Sequence, residues 1–292
     1  MRIRIEAPAA LAALAALGHA YFAAPLLFWP LVSLMATSLV LAMHSPLALS
    51  RRMTFLAHAQ GHSILTAALA AALVLAAVKT AASAWPFYGL VLMFVIVLNL
   101  AVLAVGRLGY REDVATGVVM SLQISATIAL LFAVRMFYGA SVDPIAIITG
   151  EYVLVGLGDV AAQAPFLVLA SLFPLLYGVR YLYAALDDSF AEAIGLRPRL
   201  MDNLFLISMS LAVASSVYTL GSLMPAVLLV MPGAIAARYT TSIARIIPTS
   251  VSVAALSVAA AHFIYTLLPW LWPSAAIGLV QLLMLLAKPK AT

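Results

Sequence analysis

Residues 85–106 read WPFYGLVLMFVIVLNLAVLAVG, an apolar run with no charged residue and a single Asn. A bilayer crossing takes about 20 such positions, so the run is long enough to span by itself. Only helices and closed barrels satisfy their backbone in hydrocarbon. A barrel strand alternates apolar and polar residues, and this stretch does not, so it is a helix. Similar runs lie near residues 7–24, 26–49, 55–78, 114–138, 160–184, 203–219, 220–237, 247–268 and 273–287. The expected fold is an all-α polytopic membrane protein with eight to ten transmembrane helices, multi-pass in the inner (plasma) membrane.

Bulk composition agrees. Hydrophobic residues make up 66% of the 292 positions and charged residues 9%, against about 25% charged in an ordinary soluble chain, and the mean hydropathy is +1.15. The net charge of +5 does not point to nucleic acid, because the Lys and Arg sit in short connectors, as the positive-inside rule places them. Arg51 with Arg52, Arg107 with Arg111, Arg180 with Arg197 and Arg199, Arg238 with Arg245, and Lys288 with Lys290 mark the cytoplasmic side. Residues 79–85, 138–144 and 269–273 then face out, with Trp85, Tyr138, Trp270 and Trp272 as interfacial aromatics. Ten spans put both termini inside, in line with Arg2 and Arg4. No small-residue cleavage site follows the first apolar stretch, so it is expected to be retained. Residues 1–25 form an Ala-rich segment that is either an extra helix or an element lying in the interface.

The chain has no cysteine, so any metal meets nitrogen or oxygen. His58 and His62, four residues apart in TFLAHAQGHSILTAAL, share one helical face. They are either packed polar side chains or two imidazole ligands for one cation; ionisable residues inside a span usually mark a pathway, and imidazole suits zinc, copper, iron and nickel. Imidazoles ligate only when neutral, so uptake through such a pair should fall as pH drops through the histidine range, roughly 6.5. A zinc protease needs HExxH with Glu as base; HAQGH has Ala59 there, so that chemistry is absent. His19, His44 and His262 are isolated in sequence and read as core or interfacial residues, with His262 the one to watch. Arg135 can snorkel, and Glu151 is either a mouth residue or a capping carboxylate.

The longest polar interval, residues 187–202, reads DDSFAEAIGLRPRLMD on the cytoplasmic side. Asp187 or Asp188 can cap a short helix running through Ile194, with Glu192 on it, Gly195 as its stop and Pro198 beyond. It is either a solvated connector or a surface offered to a soluble motor. In residues 220–237, Gly221, Pro225, Pro232 and Gly233 fall too close together for an undisturbed helix, so short or interrupted pieces beside a translocation path are expected. There is no G-x-x-x-x-G-K-[ST] phosphate loop, so this chain is no ATPase, and ATP-driven work would need another subunit.

Three stretches together resemble the permease family of zinc and manganese ABC importers. LGSLMPAVLLVMPGAIAARY (residues 220–239) is similar to that family's glycine, aliphatic run, Pro and Arg. RRMTFLAHAQGHSILTAAL (residues 51–69) is similar to its RR-M-S segment with an Asp and a His at i+4, and DDSFAEAIGLRPRLMD to its cytoplasmic coupling segment. GYREDVATGVVMS and ITGEYVLVGLGDV keep the family's order, so the resemblance covers residues 26–292. It implies a permease domain shaped like those of vitamin B12 and siderophore importers. It implies a homodimer working with cytoplasmic ABC ATPase subunits and an extracytoplasmic metal-binding protein, with a divalent metal ion as substrate and no permanently bound cofactor. His62 falls on the family's channel histidine and His58 on its aspartate. That departure removes a hard anionic ligand and favours a borderline metal such as zinc over manganese; the alternative within the same fold type is a permease for manganese, iron or a metal chelate. A transporter of another class, driven by protons or sodium, would show inverted repeats and buried carboxylates, and neither is evident.

Overall fold

In hydrocarbon the backbone must pair within its own segment, and the described residues contain helices and turns but no strand. The computed structural model describes residues 5–78, 84–138, 148–193 and 195–287; Arg2, Arg4, Lys79, Pro144, Ile194, Lys288 and Lys290, used in the topology and segment readings, lie outside them. In chain order the helices are α1 (Glu6–Phe22), α2 (Phe28–Ser50), α3 (Thr54–Val78), α4 (Ala84–Gly106), α5 (Glu112–Tyr138), α6 (Leu157–Ala184), α7 (Asp188–Ala193), α8 (Pro198–Ser215), α9 (Val217–Leu220), α10 (Met224–Leu228), α11 (Met231–Tyr239), α12 (Ile243–Leu267) and α13 (Pro273–Leu286). Among the described residues six helices, α2 to α6 and α12, are long and apolar enough to cross a membrane, and two shorter apolar ones are Met224–Tyr239 and Pro273–Leu286.

Three helix starts differ from the sequence reading by three or more residues: those of α8, α6 and α12, the last beginning at Ile243 rather than near 247. α8 begins at Pro198 rather than near residue 203, because Pro at the first helical position costs no hydrogen bond and Arg197 before it is extended (φ −107°, ψ 97°). The interval 187–202 is therefore a short helix followed by the first turn of the next one, not a single connector. α6 begins at Leu157, where the Asp159 carboxylate accepts from the Gly156 amide at 2.9 Å and stabilises the helix start.

α2 and α12 pack on each other and carry much of the remaining bundle: α6, α8 and α11 contact α2, while α1, α11 and α13 contact α12. Small side chains make this close approach possible, with Ala254, Ala259 and Ala261 of α12 and Ala9, Ala16 and Ala20 of α1 all buried. Helix prolines free carbonyls that lipid cannot satisfy, and neighbouring serines take two of them. Pro46 frees the Ala42 carbonyl, to which Ser250 Oγ donates at 2.7 Å. Pro174 frees the Ala170 carbonyl, to which Ser208 Oγ donates at 2.7 Å; the same hydroxyl lies 2.7 Å from His44 Nε2. Ser208→Ala should thus lower stability by about 1–2 kcal/mol, read as a lower melting temperature in detergent. An unchanged melting curve would mean that the carbonyl finds another donor. Tyr152 is fully buried beside Tyr265 and Trp272, and burial, with the Tyr265 phenol beside it, pushes its own phenol above the usual tyrosine range.

Candidate functional site

α3 is held in one rotation by polar bonds on its inner side. Gln60 Nε2 donates to Asn99 Oδ1 of α4 (2.9 Å), and Asn99 Nδ2 donates to Ser210 Oγ of α8 (2.6 Å). Gln123 Nε2 of α5 donates to Ser63 Oγ (2.9 Å), and Thr66 meets Thr127 of α5 at 2.8 Å. Successive residues turn by about 100°, so with Gln60 directed inward His58 and His62 project from the opposite side. His58 is exposed and His62 half-buried. Their ring centroids are 6.4 Å apart at an interplanar angle of 69°. Sharing one ion at Zn–N distances of about 2.0–2.1 Å would require the rings to close by roughly 1 Å, within reach of side-chain rotation. They stand four and eight residues from the start of α3, ~6 and ~12 Å along its axis, in the half of the span next to Arg51 and Arg52. Among the described residues no cluster of three or more His, Cys, Asp or Glu could hold a metal.

Between them, Gly61 lies against the interrupted segment: a Cβ there would come 3.0 Å from the Ser222 carbonyl and 3.6 Å from Ala226 Cβ. The interruption expected at residues 220–237 is present, as α9, α10 and α11 in place of one helix. Gly221 (φ 69°, ψ −170°) separates the first two pieces, while Pro225 and Pro232 sit in the opening turns of the next two. All four of Gly221, Pro225, Pro232 and Gly233 are buried. They shape the segment rather than present side chains to an opening. The Gly233 amide donates to Ser45 Oγ at 2.8 Å, and a Cβ on Gly233 would lie 2.7 Å from the Pro46 nitrogen. A buried network anchors the piece before the break. Ser33 Oγ meets Gln163 Oε1 (2.5 Å) and Thr219 Oγ1 (2.6 Å), and Gln163 Nε2 donates to Thr37 Oγ1 (2.6 Å) and the Ser215 carbonyl (2.7 Å).

The 187–202 element is separate from the histidine pair. Asp187 Oδ1 accepts from the Ser189 amide at 2.8 Å and caps α7. Glu192 is exposed on that helix, and Gly195 (φ 81°) turns the chain towards α8; the Asp188 side chain lies outside the described structure. α7 packs on α6 and α8. Asp202, at the far end of the interval, is already engaged: Arg51 Nε donates to its Oδ1 at 3.0 Å and Tyr181 OH at 2.7 Å.

The family model that describes the ABC 3 transport family matches residues 23–289. The chain belongs to that family. Over 139 residues it is 27% identical to the "Probable metal transport system membrane protein" of Chlamydia trachomatis serovar D, covering 45% of this chain and 41% of that relative; the match thus spans less than half of the curated relative. Its fold is similar to that of PsaBC from Streptococcus pneumoniae, solved in complex with a Fab, at TM-score 0.77 and 17% identity over 95% of this chain and 97% of that one. It is also similar to an inward-facing structure ascribed to a metal-chelate type ABC transporter, at TM-score 0.72 and 13% identity over 96% and 94%. At these identities the likeness is one of fold alone; that the chain is a membrane-spanning transport subunit rests on the family match.

In this ABC 3 family chain one histidine contact escaped the sequence reading. His19 Nδ1 of α1 lies 3.0 Å from His262 Nε2 of α12, and at the other end of α1 the Glu6 carboxylate pairs with Arg245 Nη2 at 2.6 Å. No local spacing could have shown either contact, since their partners lie more than two hundred positions apart in sequence. Glu151, in turn, makes no side-chain capping bond at the short turn it precedes, and Arg135 lies exposed in the last turn of α5.

Proposed function

We propose that this chain is the permease subunit of an ATP-driven importer for a divalent transition metal, with zinc as substrate. It acts as a homodimer with cytoplasmic ABC ATPase subunits and an extracytoplasmic metal-binding protein. The observation that carries the reading is the His58–His62 pair on the outward side of α3, backed by the interrupted segment and with no carboxylate grouped with it among the described residues. Two neutral imidazoles are borderline ligands and prefer zinc to manganese. A site with two protein ligands leaves positions for water or for a second copy's histidines, which suits an ion that must bind and then leave. The metal transport in the name of the Chlamydia relative and the family membership support the substrate class.

α7 is the surface for the ATPase. It is short, capped at both ends, and presents Glu192 to solvent at the cytoplasmic face. The test is uptake by the permease, its ATPase and its binding protein reconstituted in vesicles. Zinc should enter only with ATP, and a tenfold excess of manganese should compete weakly. The charge reversals Asp188→Lys and Glu192→Lys should abolish uptake while the permease keeps its melting temperature. Uptake driven by a proton gradient without ATP would make this a secondary transporter, and unchanged coupling in the reversed variant would remove α7 from the ATPase contact.

A further inference from the structure

At the cytoplasmic end of the bundle a cavity of about 530 Å³ opens between α3, α4, α5 and α8. Its apolar depth is formed by residues such as Met53, Leu56 and Val102, and its mouth by Arg107, Tyr110 and Arg199. A second cavity, of about 210 Å³, shares Asn99, Leu103, Arg107, Asn203 and Leu206 with it and continues along the α4–α8 groove, past Ser210, to Ile96. From Arg107 to Ile96 is eleven residues of α4, ~16 Å at 1.5 Å per residue. Leu100 and Ile207, which border this groove, are 56% and 48% exposed, so the groove opens sideways on the outer surface of the bundle.

The charge at its base is uncompensated. Arg107 and Arg199 are exposed, and neither has an ion-pair partner among the described residues. The nearby Asp202 carboxylate also lines the cavity, but Arg51 and the Tyr181 hydroxyl already occupy it. The start of α8 adds to the positive potential: its N-cap Arg197 makes no side-chain capping bond and its first turn holds no acidic residue. Two arginines at a helix N-terminus are unfavourable with the helix dipole, and an anion there offsets both. Arginine mouth, helix N-terminus and ~16 Å of mainly apolar groove opening sideways, in which Asn99 and Ser210 are bonded to each other, match a phosphate with an acyl chain attached.

We propose that the α4–α8 cleft binds one anionic phospholipid of the cytoplasmic leaflet, its phosphate between Arg107 and Arg199 and one acyl chain along the groove towards Ile96. Basic pockets between helices on this side of a membrane are suited to such headgroups. The lipid joins α4 to the helix that follows α7, so it fixes the position from which α7 leaves the membrane.

The test uses the full-length chain in detergent, with native mass spectrometry of phosphatidylglycerol and phosphatidylcholine of identical acyl chains. Phosphatidylglycerol should be retained over phosphatidylcholine, and Arg107→Gln with Arg199→Gln should lower its retention about tenfold while phosphatidylcholine is unaffected. Arg111→Gln, which removes an exposed cation paired with Asp113, should change nothing, and millimolar inorganic phosphate should not displace the lipid. Equal retention of the two lipids by the unaltered protein would overturn the proposal without recourse to any variant. Displacement by inorganic phosphate would mean a free-anion site instead. Full lipid retention by the double variant, with loss of ATPase co-purification, would assign the arginines to protein docking. None of these readouts depends on which metal is carried.

Discussion

Replacing Gly221 with alanine should cost on the order of 2–6 kcal/mol and leave little folded permease, because two penalties fall on one residue. Its backbone (φ 69°, ψ −170°) lies in a region that essentially only glycine occupies. A Cβ there would also stand inside van der Waals contact of the Ile148 carbonyl oxygen and 2.5 Å from the Gly150 amide nitrogen. Both are main-chain atoms and cannot swing aside. The Ile148 carbonyl also accepts from the Ser222 amide at 3.2 Å, so pushing it away breaks the bond that joins the two strands of chain at the break. Gly278→Ala is the control, since no atom lies within 4 Å of a Cβ built there. The measurement is the yield of monodisperse protein and its melting temperature in detergent. If Gly221→Ala matched the control, the break would be a flexible joint, and the strain argued for Gly221 would be wrong.

The spans were legible because lipid forces each segment to satisfy its own backbone, so a crossing announces itself as a local apolar run. Residues 85–106 needed no partner to be read, and the same holds for the break at residues 220–237, where Gly221, Pro225 and Pro232 are local signals. The start of α8 was misread for the opposite reason. Pro198, Arg199 and Asp202 are polar or helix-breaking in isolation, but Pro198 is a favourable first residue, and Asp202 is partly shielded by Arg51 and Tyr181. Hydropathy cannot see an ion pair between residues 151 positions apart. His58 and His62 could be found because one helical turn separates them. The serines that cap proline-freed carbonyls were invisible, as Ser208 and Ser250 are matched to Ala170 and Ala42 only by the packing of whole helices. The cytoplasmic cavity escaped for the same reason: its arginines read as topology markers, and only the approach of α4 to α8 makes them a site.

The double variant His58→Ala with His62→Ala should reduce zinc uptake at least tenfold while leaving the protein folded. The stability half of this expectation comes from their surroundings. His58 is exposed and His62 half-buried, and neither ring has a hydrogen-bond partner among the described residues, their mutual edge contact apart. Substitutions at such positions typically change stability by no more than about 0.5 kcal/mol, and the bonds that orient α3 run through Gln60, Ser63 and Thr66 instead. A loss of uptake therefore cannot be ascribed to unfolding, and an unchanged melting temperature will verify that. Each single variant should retain part of the activity, because one imidazole with water still binds a borderline cation, though more weakly. His58→Asp is the sharper probe: it restores the carboxylate that the resemblance places at this position, and a hard anionic oxygen beside one imidazole should shift preference from zinc towards manganese. The measurement is zinc and manganese uptake in a strain without other importers, with assembly of the ATPase complex checked in parallel. Unchanged metal preference in His58→Asp, together with full zinc uptake by the double alanine variant, would leave the two histidines as surface packing. The path of the ion would then have to be sought on another face of the bundle.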